Sequence, residues 1–119
     1  MPTEKNKTTK YQVVKAHKAS FDYSVIFTVG EKVEIAREDP DMPGWFWCRK
    51  DNDKWAWVPE EYLNRHGNEG TITHDYESTE LTVENGDILE YVTQTKFWTL
   101  CKTHDGKKGW VPTENLKPT

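Results

Sequence analysis

One stretch of the chain occurs twice. Residues 44–59 read GWFWCRKDNDKWAWVP, and residues 97–112 read FWTLCKTHDGKKGWVP, 53 positions later and without a gap. All six tryptophans and both cysteines of the chain fall inside these two copies. Self-similarity at a fixed period is the signature of a repeated structural unit. The sequence therefore predicts two copies of one small fold.

Each copy has the pattern of a β-hairpin. Asp105-Gly106 lies between two runs of strand-forming residues, and such a pair supports the positive φ angles of a tight turn. Successive side chains of a strand point to opposite faces, which places Cys48 and Cys101 on the inner face. The large aromatic side chains are then expected on the outer face, as a surface for a ligand. These outer residues are Trp45, Trp47, Trp55 and Trp57 in the first copy and Trp98 and Trp110 in the second.

Composition indicates a globular, water-soluble chain. Of its 119 residues 30% are charged and 34% hydrophobic, and no apolar run approaches the ~20 residues that a membrane-spanning helix needs. The lysines near the start have no apolar stretch behind them, so no secretory signal is expected. Cysteines at equivalent inner positions fit reduced thiols in a core. We expect a cytoplasmic monomer that does not bind membranes.

The charge distribution favours a neutral or basic partner. The formal net charge of −4 divides into +2 over residues 1–10, −3 over residues 11–70 and −3 over residues 71–119. Nucleic-acid-binding proteins usually present a basic stripe, which neither predicted unit has. No nucleic-acid partner is therefore expected.

Loop and turn signals divide the chain into four parts. Residues 1–10 are polar and aperiodic, which predicts a disordered leader. Residues 11–65 are the first predicted unit, residues 66–70 (HGNEG) a short polar linker, and residues 71–119 the second unit. No long helix is predicted in either unit.

The order of the motifs resembles the Src-homology-3 (SH3) family. The second unit contains HDYES, ELTVENGDIL, a tryptophan, the hairpin GKKGWVP and a PxxxL turn, and the first contains GWFWC and WVPEEYL. Over residues 11–117 the pattern is most similar to prokaryotic tandem variant-SH3 proteins. The resemblance implies an all-β fold of two tandem five-stranded barrels, whose exposed aromatic grooves bind proline-rich peptides.

In the second unit, the resemblance assigns most of a peptide groove. The two aromatic residues of the family's ALYDY segment correspond to His74 and Tyr76, and the closing tyrosine is replaced by Asn115. Glu80 matches the acid that pairs with a basic residue of the ligand. The remaining groove positions are Trp98, Trp110 and Pro112.

In the first unit, the resemblance also assigns only part of the groove pattern. The ALYDY aromatics fall on Ala16 and Lys18, which do not form a ring pocket. The kept groove positions are Trp45, Trp57, Pro59 and Tyr62. Neither predicted unit therefore matches the peptide-binding pattern throughout.

These observations favour a non-catalytic module that binds an extended proline-containing or basic peptide. The alternatives are a rigid scaffold with the tryptophan faces packed between the two barrels, and a cell-wall or glycan-binding protein. Nucleic-acid binding ranks lowest, because of the acidic balance. Neither a Ser/His/Asp or Cys/His arrangement nor a phosphate-binding glycine loop is recognisable, so no enzyme activity is expected. No metal or other cofactor is expected either, because the four histidines lack ligand spacing.

Overall fold

The computed structural model describes residues 9–119, and the chain over this range is all-β, as predicted. Short 3₁₀ turns at Glu60–Tyr62 and Thr113–Asn115 precede the last strand of each predicted unit. The predicted leader, residues 1–10, lies outside the described residues except for its last two, and Lys10 already belongs to a strand. The strands are β1 Lys10–Val13, β2 Ile26–Phe27, β3 Lys32–Glu38, β4 Trp45–Arg49, β5 Ala56–Pro59, β6 Leu63–His66, β7 Glu69–Ile72, β8 Tyr76–Glu77, β9 Ile88–Gln94, β10 Trp98–Lys102, β11 Lys108–Pro112 and β12 Leu116–Pro118.

The strands form two five-stranded sheets and one two-stranded sheet. One five-stranded sheet has the order β11-β10-β9-β1-β12, and the other has the order β5-β4-β3-β7-β6. Strands β2 and β8 pair separately. All of the pairings between these strands are antiparallel.

The chain folds into two compact units, each with one of the five-stranded sheets. The first, here called the split unit, comprises residues 9–20 together with Glu80–Thr119. The second, the continuous unit, comprises Phe21–Thr79. These units do not coincide with the predicted ranges 11–65 and 71–119, because strand pairing joins the start of the chain to its end.

Equivalent strands occupy equivalent places in the two sheets. The repeated hairpins, β4–β5 and β10–β11, occupy the first two places of the two sheet orders. The third place is taken by β3 in the continuous unit and by β9 in the split unit. The fourth place is taken by β7 in the continuous unit and by β1 in the split unit. In the former, Ile72 lies opposite Leu63, and in the latter Val13 lies opposite Leu116. The two sheets therefore share one register.

Backbone hydrogen bonds outside the strands repeat this equivalence. Gly30 N donates to Ile72 O at 2.8 Å, and Gly86 N donates to Val13 O at 2.7 Å. Both glycines have positive φ angles, 93° and 99°, which residues with a Cβ rarely adopt. Matching glycines at the same turn position hold β7 and β1 in the same relation to the rest of their sheets.

The beginning of the predicted second unit, which starts at residue 71, therefore belongs to the continuous unit. Strand β7 pairs with β3 and β6, which lie in the range of the predicted first unit except for His66. The strand that pairs with β9 and β12 is β1, from the beginning of the chain. The strand in the fourth place of the sheet order thus comes after the repeated hairpin in the sequence of the continuous unit (β7) and before it in that of the split unit (β1).

The predicted linker, residues 66–70, is part of the hairpin that joins β6 to β7. His66 lies opposite Glu69, and Gly67 between them has φ 67°. A glycine with positive φ at the first position of a two-residue loop matches the twist of the flanking strands. This turn keeps β7 beside β6 and so decides which sheet β7 joins.

The inner face of each repeated hairpin is the one that alternation predicted. Cys48 and Cys101 are both free, fully buried thiols. Burial raises the pKa of Cys48 to about 12 and that of Cys101 to about 11, because the thiolate is poorly solvated there. Other inner-face residues that are buried as predicted are Phe46, Ala56, Val58 and Val111.

The regrouping of strands also redistributes the charge. The split unit has eight basic and six acidic side chains, a net charge of +2. The continuous unit has six basic and thirteen acidic side chains, a net charge of −7. The values of −3 for residues 11–70 and −3 for residues 71–119 therefore do not describe the two compact units, and the acidic character lies in the continuous unit. Within residues 9–119, no helix has the length and apolarity to cross a bilayer.

Candidate functional site

The continuous unit brings together aromatic residues that the sequence had assigned to different units. His74 and Tyr76 follow β7, and Tyr62 ends the 3₁₀ turn before β6. The Tyr62 ring lies 5.7 Å from His74 and 5.4 Å from Tyr76, the latter in an edge-to-face arrangement. Because β6 and β7 are adjacent strands, their flanking segments meet at one end of the sheet.

Hydrogen bonds fix these rings in place. The Tyr76 hydroxyl donates to Trp57 O at 2.8 Å. The Thr73 hydroxyl lies 3.0 Å from His74 Nδ1 and donates to Glu61 O at 3.3 Å. Burial raises the pKa of Tyr62, and the neighbouring Glu61 carboxylate raises it further. Tyr62, His74 and Tyr76 therefore form a preformed aromatic site, here called the tyrosine groove.

Only part of the tyrosine groove is open. His74 is exposed and Tyr62 is half-buried, whereas Tyr76 is buried. Pro59 and Trp45, which the resemblance also assigns to the groove, are both buried. Trp45 is only 4% exposed, so its predicted exposed position on the outer face is wrong. The buried Tyr76 ring is the floor of the groove, and Tyr62 and His74 provide the accessible rings.

Backbone hydrogen bonds tie the loop before β4 to the first residues of that strand. Trp45 O accepts a hydrogen bond from Asp39 N at 2.8 Å, and Trp45 N donates to Met42 O at 3.2 Å. Gly44 O accepts from Glu60 N at 2.8 Å. The loop and the 3₁₀ turn are therefore both tied to the beginning of β4.

Carboxylates flank the residues of the tyrosine groove in the sequence, and that of Glu61 lies close enough to raise the pKa of Tyr62. Glu60 and Glu61 lie in the 3₁₀ turn that contains Tyr62, and both are exposed. Asp75 lies between the two ALYDY-type aromatics, and Asp75 Oδ1 accepts from Val29 N at 2.9 Å. Acidic groups beside accessible rings favour a ligand with a positive charge.

In the split unit, the corresponding positions differ from those expected. The shared register places His17 where the continuous unit has Tyr76, and Lys15 where it has His74. The expected positions, Ala16 and Lys18, are each shifted by one residue. The His17 ring lies 5.6 Å from the half-buried Trp98 ring in an edge-to-face arrangement.

The Glu80 carboxylate is engaged within the split unit. Glu80 Oε1 accepts hydrogen bonds from His17 Nε2, Ser20 N and Ser20 Oγ, each at 2.9 Å. The Glu80 side chain is only 13% exposed. These bonds join the two chain segments of the unit, residues 9–20 and Glu80–Thr119. Glu80 therefore has a structural role that the resemblance did not predict.

The remaining predicted residues of the split unit are buried. Trp110 is 3% exposed, and its carbonyl accepts a hydrogen bond from Leu81 N at 3.0 Å, so the segment after Glu80 runs along β11. Pro112 is also buried. Asn115, in place of the closing tyrosine, is buried and donates from Nδ2 to Lys15 O at 3.0 Å. The prediction that Trp110 is exposed to a ligand is therefore wrong.

A second aromatic site in the continuous unit was only partly found from the sequence. The Trp47 ring lies 4.8 Å from that of Trp57 and 6.2 Å from that of Trp55, nearly parallel to the latter. Phe21, which is 38% exposed, lies 5.7 Å from Trp47 and 5.4 Å from Tyr23. We call these five residues the five-ring surface. The Tyr23 hydroxyl donates to Trp55 O at 2.6 Å, which connects the loop to the hairpin.

Three cationic side chains lie over the five-ring surface. The Arg37 guanidinium lies 5.1 Å from the Trp57 ring and 6.0 Å from the Trp47 ring. The Arg49 guanidinium lies 4.8 Å from the Trp55 ring, and Lys54 Nζ lies 4.8 Å from the Tyr23 ring. The outer-face alternation of Trp47, Trp55 and Trp57 predicted the rings, whereas Phe21 and Tyr23 come from a loop without periodicity.

The continuous unit also has a polar cleft of about 320 Å³ on its sheet. Its lining carries charges of both signs, including the ion pair in which Arg49 Nη2 lies 3.0 Å from Glu34 Oε1. In the part of the chain from residue 9 onward, no group of three or more His, Cys, Asp and Glu is arranged to hold a metal ion.

Comparisons of the chain with protein-family models, with curated proteins and with solved structures found no match. The candidate sites therefore stand on their geometry.

Proposed function

We propose that the chain contains two SH3-type barrels and that the continuous unit is a non-catalytic module binding an extended, proline-containing and basic peptide. The observation that carries this proposal is the composition of the tyrosine groove. Six positions that the SH3 resemblance assigns to a peptide groove lie in one unit once β7 pairs with β6, and these are Trp45, Trp57, Pro59, Tyr62, His74 and Tyr76.

The physical basis of binding is the match between a polyproline ligand and fixed rings. A polyproline II segment is already extended and loses little conformational entropy on binding. Tyr62 and His74 offer ring faces on which its ridges can pack, and the hydrogen bond of Tyr76 to Trp57 O keeps the floor rigid. A ligand Arg or Lys would pair with Glu60, Glu61 or Asp75, in agreement with the net charge of the unit. A cytoplasmic location is part of the proposal, because both cysteines are free.

An amide-NMR titration of the full chain tests this proposal. The probe is a synthetic PxxP peptide carrying arginine, and the control peptide has glutamate in place of each arginine. We expect shifts centred on Tyr62 and His74 with the basic peptide and weaker shifts with the acidic one. Tyr62→Asn, which copies the split unit, should abolish these shifts, whereas Tyr62→Phe should preserve them. Unchanged binding by Tyr62→Asn would overturn the proposal.

A structural role for the tryptophans is the second candidate. The resemblance assigns both Trp45 and Trp110 to a ligand groove, but these residues are only 4% and 3% exposed. Burial of both rings favours a scaffold in which these residues support packing and do not contact a ligand. Emission from a variant that retains only these two tryptophans should be blue-shifted and protected from quenchers if this candidate is correct.

A further inference from the structure

We propose that the five-ring surface of the continuous unit docks an acidic, extended peptide segment of a partner protein. In this complex, a ligand carboxylate pairs with Arg37, and an apolar ligand side chain packs on Trp47 and Trp57. This surface is separate in residues from Tyr62 and His74, and the proposal does not depend on peptide binding there.

The position of Arg37 is set by an irregularity in strand pairing. Along β3, Val33 and Ile35 are buried, so strict alternation would place Arg37 on the same inner face. The register between β3 and β4 shifts between Ile35 and Arg37, which leaves Arg37 opposite Trp47. A bulge of this kind redirects a side chain. Here it moves a cation from a core position onto the aromatic surface.

The contact geometry leaves the Arg37 guanidinium able to receive an anion. Stacking on aromatic rings uses the face of a guanidinium, whereas its N–H donors lie along the edge and bind carboxylates in pairs. Arg37 is exposed, and among the described residues it has no carboxylate within ion-pair distance. Contact with Trp57 and Trp47 orders the side chain before binding, which lowers the entropy cost of the ion pair.

Charge complementarity favours a short acidic peptide over a polyanion. Three of the six basic residues of the continuous unit lie over these rings, and one of the three, Arg49, is already paired with Glu34. Two cations, Arg37 and Lys54, can pair with one or two ligand carboxylates. A single-stranded nucleic acid would add one negatively charged phosphate with every nucleotide beside a unit with a net charge of −7. Long-range repulsion would oppose that complex more strongly than the peptide complex.

The repeat itself offers matched substitutions. At the positions of Arg37, Trp47 and Trp55 the split unit has Thr93, Leu100 and Lys108, although its strands carry the same irregularity in register. Only the continuous unit combines the rings with the redirected arginine. Exchange of its residues for those of the split unit therefore removes the surface without introducing a residue foreign to the fold.

The test is an amide and indole NMR titration of the full chain with two synthetic peptides. One alternates glutamate with phenylalanine and proline, and the other has lysine in place of every glutamate. We expect the acidic peptide to shift the indole N–H signals of Trp47 and Trp57 and to bind more weakly as salt is raised. The lysine peptide should leave these two signals unchanged.

The affinities of single variants for the acidic peptide show which residues contribute to binding. Arg37→Thr and Trp47→Leu should each weaken the acidic peptide at least tenfold. Arg65→Thr is the matched control, since the Arg65 guanidinium also lies over a ring, that of Phe46 at 4.3 Å, but outside this surface. It should leave affinity unchanged. Tyr62→Asn should also have no effect here, which separates this proposal from peptide binding in the tyrosine groove.

Several results would overturn the proposal. They are equal shifts with the lysine peptide, an Arg37→Thr variant that binds as tightly as the wild-type chain, and no shift with the acidic peptide. A single-stranded oligonucleotide that shifts Trp47 and Trp57 while the acidic peptide does not would assign this surface to nucleic acid instead.

Discussion

The split unit and the continuous unit place equivalent strands in the same order, but only the continuous unit takes all five from one uninterrupted stretch of chain. The sheet of the split unit requires β1 to meet β9 and β12 across the 59 residues of Phe21–Thr79. Closing a longer loop costs more conformational entropy, although the cost grows slowly with length. The same arrangement of five strands can thus be built with two different orders of the strands along the chain. Local turns, such as the one between β6 and β7, decide which strand joins which sheet.

The two units also use equivalent positions for different purposes. At the end of the 3₁₀ turn, Tyr62 supplies an accessible ring in the continuous unit, whereas Asn115 binds the backbone of the first chain segment in the split unit. The position after β7 or β1 has Tyr76 in one unit and His17, bonded to Glu80, in the other. The unit assembled from two segments uses its polar groups to join them, and the uninterrupted unit can present rings to a ligand.

The largest expected difference between the two units is in whether each folds as an isolated fragment. Residues 21–79 contain all five strands of their sheet, and we expect this fragment to fold alone. Residues 80–119 lack β1 and should be unfolded until a peptide of residues 9–20 is added. Circular dichroism and amide-NMR dispersion measure both outcomes. A folded 80–119 fragment without the peptide would contradict the strand assignment.

Val13→Ala and Ile72→Ala probe the same place in the two sheets. Both side chains are fully buried, at 0% and 1% exposure. Loss of buried methyl groups should cost roughly 2–3 kcal/mol for Val13 and about 2–5 kcal/mol for Ile72. Hydrogen exchange should increase around Leu89 and Leu116 in the first variant and around Val33 and Leu63 in the second. The reverse pattern would indicate that β1 and β7 are exchanged.

The buried thiols predict a loss of stability at alkaline pH. Folding raises the pKa of Cys48 to about 12 and of Cys101 to about 11, from an ordinary value of 9.0. Between about pH 9 and 11 the unfolded chain therefore loses protons that the folded chain keeps, so the free energy of unfolding falls as pH rises. Urea unfolding from pH 7 to 10.5 should show this fall. It should be smaller in the Cys48→Ala/Cys101→Ala double variant, and an equal fall in both proteins would show that the thiols are not responsible.

The smallest expected effect on stability concerns the residue before Trp45 in the first repeat and before Trp98 in the second. Gly44 has φ 95° and Phe97 has φ 73°, a region that is costly for a bulky side chain. Relief of this strain in Phe97→Gly is partly offset by the greater flexibility of glycine in the unfolded chain. We expect a gain of less than about 1 kcal/mol in the free energy of unfolding, and a loss for Gly44→Ala. A clear loss for Phe97→Gly would show that the phenylalanine ring stabilises the fold.

Much of the local structure is predictable from the sequence. The all-β class, the inner face of the hairpins and the 3₁₀ turns follow from alternation and turn residues, which act over a few positions. The assignment of strands to sheets does not follow, because Val13 and Ile72 are similar apolar residues with nearly the same partners, and either can fill the same place. The Gly67-Asn68 pair did carry a hairpin signal, but its polar surroundings also fit a linker.

The candidate site was predictable to a similar extent. The resemblance assigned Tyr62 to one groove and His74 and Tyr76 to another, and the strand pairing places the three rings together. Trp45 and Trp110 are only 4% and 3% exposed, and alternation along a strand predicts a face but not whether that face is covered. The position of Arg37 depends on an irregular strand register, which breaks the alternation on which the face assignment rests.

The most direct test of the account is a set of interstrand nuclear Overhauser contacts in the intact chain. The strand assignment predicts backbone contacts of Gln12 with Ile88 and Lys117, and of Thr71 with Lys32 and Asn64. Contacts of Gln12 with Lys32 and Asn64, together with contacts of Thr71 with Ile88 and Lys117, would contradict it. They would show two tandem units in sequence order and would separate Tyr62 from His74 and Tyr76.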